Sequence, residues 1–92
     1  MTGSKLNPSY ADLLRTPQWQ YKRQQILARD EHRCRNCGAT ADLQVHHRQY
    51  HLLQYPGEFL APWCYPTHLL ITLCASCHRS GHASFRVPVF VI

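Results

Sequence analysis

Two C-x₂-C pairs, Cys34/Cys37 and Cys74/Cys77, constrain this 92-residue chain more than any other feature. Structural zinc takes four tetrahedral ligands, usually thiolates and imidazoles, and two such pairs supply four sulfurs from two tight turns. Residues 38–73 lie between the pairs, a longer gap than the roughly 15–20 residues of a simple zinc ribbon. A four-cysteine clamp therefore encloses a substantial insertion. A fifth cysteine, Cys64, stands alone. An odd count argues against a disulfide framework. Two alternatives stay open from spacing alone. One is a set of free buried cysteines. The other is a finger-like set of Cys34, Cys37, His47 and His51, with a gap of nine residues after Cys37 against the usual twelve or so.

A chain this short buries a modest core, and many such domains need a staple. The composition, 45% hydrophobic and 16% charged, excludes a disordered tail. No apolar run is long enough to span a membrane, and the first residues lack the apolar segment of a signal peptide. The expectation is a cytoplasmic, non-secreted protein with residues 1–8 disordered and one domain over 9–92. The formal charge is +5, falling to +3 if four thiolates hold one Zn²⁺. That balance suits a polyanionic partner.

The local signals alternate between helix and strand. Ser9 to Arg15 suits a short helix with Tyr10, Leu13 and Leu14 as its apolar face. Thr16-Pro17 is a helix start, because Thr caps well and Pro fits the first turn, where its missing N–H costs nothing. The helix that follows, over about 17–30, spaces Trp19, Ile26 and Leu27 on one side. Gly38 suits the left-handed backbone of a metal-binding turn. Residues 42–46 alternate as a short strand. Residues 48–66, with Pro56, Gly57, Pro62 and Pro66, read as a long irregular loop. Leu69 to Leu73 is an apolar run leading into the second pair. A helix beginning near His78 is expected to be shortened by Gly81. The tail from Phe85 to Ile92 is β-prone, and suits packing on the core or a partner surface. Trp19 and Trp63 are expected in the core, whereas Tyr50, Tyr55 and Tyr65 sit in the insertion.

Four histidines frame the cysteine clamp. His46 and His47 end the first strand, His78 follows the second pair, and His82 shares a helix face with His78 four residues later. Imidazole binds transition metals and acts as a base near neutral pH. Adjacent residues on a strand point to opposite sides, so His46 and His47 serve one site only across a bend or bulge.

Together, Cys34-x₂-Cys37, Leu43-Gln-Val-His46-His47-Arg-Gln-Tyr50, Pro62-Trp63-Cys-Tyr65-Pro66 and Leu70-Ile-Thr-Leu73-Cys74-x₂-Cys77-His78-x₃-His82 resemble the HNH endonucleases that carry an added four-cysteine zinc site. The likeness runs from about Trp19 to His82. It implies a small α+β fold with a ββα-metal (His-Me finger) core, N-terminal helices and a zinc staple. It implies a metal-dependent DNA endonuclease that leaves 5′-phosphate and 3′-hydroxyl ends. In that reading His47 is the general base. His46, His78 and His82 hold one catalytic divalent ion, Mg²⁺, Mn²⁺, Ni²⁺ or Zn²⁺, while Cys34, Cys37, Cys74 and Cys77 hold structural Zn²⁺.

One position departs from the pattern. The middle letter of HNH is a polar residue, often Asn, directly before Leu-Ile-Thr-Leu-Cys. Leu69 stands there, and its side chain cannot hydrogen-bond. The tie must then come from His68 or from loop backbone, or turnover is slow or lost.

Arg23, Arg33, Arg35 and Arg48 are the candidate phosphate contacts, within a basic cluster that also includes Lys22 and Arg29. DNA is the expected partner, bound mainly through its backbone, with weak sequence preference, and a dimer or larger assembly is compatible. Two other functions fit the same residues: a non-catalytic zinc-stabilised nucleic-acid-binding module, and a zinc-stabilised protein-interaction module using the apolar tail.

Overall fold

The computed structural model describes residues 9–92. The expected disorder of residues 1–8 lies outside the described residues. Helix α1 spans Tyr10–Leu13. Ser9 caps it by accepting the Asp12 N–H at 3.2 Å, while the Asp12 carboxylate accepts the Ser9 N–H at 3.2 Å. The helix is shorter than the expected run to Arg15. Thr16 Oγ1 donates to the Leu13 carbonyl at 2.7 Å and also accepts the Trp19 N–H at 3.3 Å, so one hydroxyl ends α1 and starts the next helix.

Helix α2 spans Pro17–Arg29, with Pro17 in its first turn, and buries Trp19, Ile26 and Leu27. The chain then leaves through Glu31 and His32, both at positive φ, and the His32 N–H closes on the Leu27 carbonyl at 2.8 Å. Gly38 (φ 82°) follows the first cysteine pair, and its N–H donates to the Cys34 carbonyl at 2.9 Å. This is the left-handed turn for which glycine suits best.

Strand β1 is Leu43–His47 and strand β3 is Leu70–Cys74. They pair antiparallel, from Leu43 opposite Cys74 to His47 opposite Leu70. Helix α3, Ala75–Ser84, continues directly from β3. It starts three residues earlier than expected because Cys74 is its cap, with Sγ accepting the Cys77 N–H at 3.4 Å. It also runs through Gly81 rather than stopping short of it.

The insertion between β1 and β3 is more ordered than its prolines suggested. It holds strand β2, Tyr50–Leu52, and 3₁₀ turns at Pro62–Cys64 and Thr67–Leu69. β2 pairs in parallel with β4, Val89–Val91, which is the β-prone tail. The side chains of β4 stay exposed. The core is Trp19, Ile26, Tyr65 and Leu70, flanked by Leu14, Val45, Tyr50, Leu60, Trp63 and Leu69. Tyr65, in the insertion, is thus a core residue, and both tryptophans pack as expected.

One buried charge ties these layers together. The Asp30 carboxylate accepts the Thr72 N–H of β3 at 2.9 Å, Arg29 Nε at 2.8 Å and Arg35 Nη1 at 3.3 Å. Arg29 also donates to the Thr67 and Leu70 carbonyls, both at 2.7 Å. Arg29 is therefore a structural clamp rather than a free phosphate contact. Among the described residues, no helix is long and apolar enough to cross a membrane.

Candidate metal centres

The β1–β3 register sets Cys74 at the end of the pair next to the first cysteine turn. The sulfurs of Cys34, Cys37, Cys74 and Cys77 converge there, all four lying within 4.8 Å of one another. Cys37 Sγ and Cys74 Sγ are 3.7 Å apart. A tetrahedral ion with Zn–S near 2.3 Å needs sulfur separations of about 3.8 Å. None of the cysteines forms a disulfide.

Burial opposes ionisation of Cys34, but the Cys37 and Asn36 N–H groups at its sulfur outweigh it and hold the thiol at about 6. Asn36 Nδ2 also donates to Cys77 Sγ at 3.3 Å. The other three sulfurs nonetheless push Cys77 up to about 12. Four thiolates this close need a cation between them, so the chemistry of the donor set fits a metal ion such as zinc. The finger-like alternative is not assembled, because His47 and His51 lie away from Cys34 and Cys37: His47 is buried in the aromatic core, and His51 packs on Tyr65 and Phe90.

A second convergence lies beside the first. One potential ligand atom each from His46, His78 and His82 lies within 4.8 Å of the others. The Nε2 atoms of His78 and His82 are 3.1 Å apart, and the His46 ring stands 5.0 and 5.2 Å from theirs. β1 delivers His46, and one turn of α3 delivers the other two. Burial, then the nearby His78 and His82, push His46 down to about 4. Burial and His82 lower His78 as well. His46 and His78 are thereby shifted toward the neutral form, the one that ligates a metal.

His47 points to the other face of β1, as strand geometry requires. It is 4% exposed. Its ring stacks between Trp19, at 5.1 Å, and Tyr50, at 5.3 Å, and meets Tyr65 edge-on at 4.9 Å. His47 Nε2 lies 3.1 Å from the Pro62 carbonyl oxygen. A carbonyl only accepts, so Nε2 carries the proton and Nδ1 keeps its lone pair. Burial lowers the pKa of His47, and this hydrogen bond partly offsets the drop. A cleft of about 280 Å³ is nevertheless lined by His47 together with His46, His78 and Arg23. No bulge interrupts β1, so this cleft, rather than a bend, connects the two faces.

Leu69 makes no side-chain hydrogen bond, but its carbonyl accepts the Arg48 N–H at 2.7 Å. Backbone thus ties the end of the insertion to the end of β1, while His68 stays exposed. The carbonyl that orients His47 comes from Pro62, whose role as a backbone acceptor no residue type announces. The four candidate arginines divide. Arg23 borders the cleft, and its guanidinium donates to the Leu43 carbonyl at 3.4 Å. Arg33 and Arg48 are exposed, and Arg35 is shared with Asp30.

Comparison with family models, with curated proteins and with solved structures finds no match to this chain.

Proposed function

We propose that this protein is a metal-dependent DNA endonuclease of the HNH type, with β1, β3 and α3 as its ββα-metal core. The observation that carries the reading is the three-histidine convergence of His46, His78 and His82, the first two of which line a cleft together with His47. Three imidazoles, with no fourth protein ligand among the described residues, leave room for substrate, the mark of a catalytic site, whereas four thiolates make a closed structural one.

An ion held by the three histidines would supply positive charge to the scissile phosphate and to the departing 3′-oxygen. Pro62 fixes the His47 tautomer, so that Nδ1 can take a proton from the attacking water. Oxygen then bonds to phosphorus as the bond to the 3′-oxygen breaks. The 3′-oxygen leaves as a hydroxyl after taking a proton from solvent, and the other end keeps a 5′-phosphate. Trp19 and Tyr50 hold the His47 ring between them, which fixes its direction. Arg23 supplies a guanidinium at the same cleft.

A second reading, a non-catalytic zinc-stabilised nucleic-acid-binding module, is favoured by the burial of His47. Plasmid nicking separates the two. Zinc-loaded protein is assayed with added Mg²⁺, Mn²⁺ or Ni²⁺, beside His47→Ala and His78→Ala. Metal-dependent nicking by the parent alone, with 5′-phosphate ends, supports the endonuclease. Duplex binding without nicking in every metal supports the module.

A further inference from the structure

Phe85 stands at the end of α3, three residues beyond His82, with its N–H on the Gly81 carbonyl at 2.7 Å. The residue is 76% exposed. A single exposed apolar side chain is ordinary on a surface. The surroundings of Phe85 are what distinguish it. On one side lies a groove of about 530 Å³ bearing Arg35 and Arg48. On the other lies a groove of about 200 Å³ bearing His46, His82, Arg48 and Arg86. Phe85 and Arg48 line both, and no carboxylate lines either. Among the described residues, neither Arg48 nor Arg86 has an acidic partner.

An exposed ring between unpaired guanidiniums is the recognition chemistry of single-stranded nucleic acid. Phosphates follow the cations, and an unpaired base stacks on the ring. A duplex offers such a ring no free base, and using it there means unstacking a base step, at a cost roughly the size of the stacking gain. We infer that Phe85, flanked by Arg48 and Arg86, is a stacking platform for an unpaired base of single-stranded DNA, seated next to the three-histidine site. The preferred substrate is then DNA with an unpaired stretch at the cut, as in a single strand, a gap or a locally melted region of a supercoiled plasmid. This deepens the endonuclease reading and rests on it for the position of the cut, although strand binding is measurable without cleavage.

The test is fluorescence anisotropy with protein carrying one equivalent of zinc and no other divalent metal. The probes are a fluorescein-labelled oligo(dT) of about 15 nucleotides, near the upper site size of a single-strand-binding fold, and a duplex of the same length. The single strand binds more tightly than the duplex. Phe85→Ala weakens single-strand binding by roughly 5- to 150-fold, the range for loss of one base stack, and leaves duplex binding within about twofold. Phe85→Trp restores single-strand binding, which separates stacking from a folding defect. Equal affinity for the two probes, or a Phe85→Ala variant indistinguishable from the parent, overturns the inference. Nicking that persists alongside Phe85-independent strand binding sinks the platform and spares the endonuclease. Phe85-dependent strand binding without cleavage in any metal does the reverse.

Discussion

Replacing Asp30 by Ala removes the one carboxylate that ties α2, β3 and the first cysteine turn together. Its side chain is fully buried, while its partners Arg29 and Arg35 keep 39% and 56% of their side-chain surface in water. Burial alone would raise the pKa of Asp30. The Arg29 guanidinium and the Thr72 N–H overcome that and hold it at about 2. Against a free aspartate near 3.9, the difference corresponds to roughly 2–3 kcal/mol of stability at neutral pH. Because the folded pKa is the lower one, this contribution is complete above about pH 4 and is lost as pH falls through about 2. Asp30→Asn keeps the shape and loses the charge, so a loss of about 2 kcal/mol is expected, the lower end because both arginines are half in water. Asp30→Ala also strands the Thr72 N–H and the Arg29 guanidinium, and about 3–5 kcal/mol is expected. The assay is urea unfolding of zinc-saturated protein at pH 7, followed by far-ultraviolet circular dichroism. At a slope of about 1–3 kcal/mol per M of urea, a loss of about 3–5 kcal/mol from a total of roughly 5–15 lowers the unfolding midpoint of the Ala variant by about 1–5 M. A loss below about 0.5 kcal/mol for Asp30→Ala, the size of an ordinary surface change, would refute the clasp.

Two further outcomes follow from the sites. Chelating the metal from the Cys34, Cys37, Cys74 and Cys77 cluster should unfold the chain, since such binding energy is largely folding energy. Loss of helix on adding a chelator, and its return with Zn²⁺, checks this. Leu69→Asn restores the polar side chain of the HNH pattern, yet backbone already makes the tie to Arg48. It should give no gain in nicking rate and should lower the thermal midpoint, because Leu69 packs on the core. A faster Asn variant would show that the side chain matters.

The parts of this fold that could be read from sequence are those with local causes. Thr16-Pro17 marks the start of α2 through a cap and a missing N–H, and the Trp19, Ile26 and Leu27 spacing marks its buried side. Each cysteine pair and the His78/His82 pair follow from spacing, because a turn or a helix face places such residues together, whereas His46 enters the set only through the resemblance and is brought there by the pairing of β1 with β3. The divergence of His46 and His47 follows from strand alternation. What escaped depends on distant partners. β2 is three residues long, and its partner, the strand from Val89 to Val91, is far along the chain, so no local pattern announces either as one of a pair. α3 begins at Ala75 because a cysteine sulfur acts as its cap, a residue type outside the usual set. Arg29 and Arg35 look like free cations in sequence, but Asp30 claims both only once the chain is folded. The aromatic box around His47 draws on Trp19, Tyr50 and Tyr65, three segments that no periodicity links.

The most direct test of the account is calorimetric titration of zinc-loaded protein with Co²⁺, comparing the parent with His78→Ala. Two independent sites, one of four thiolates and one of three imidazoles, predict one further equivalent of metal bound by the parent and none by the variant, with zinc retained in both. A parent that takes up no metal beyond its zinc, or a variant that binds as the parent does, would contradict a catalytic ion held by His46, His78 and His82.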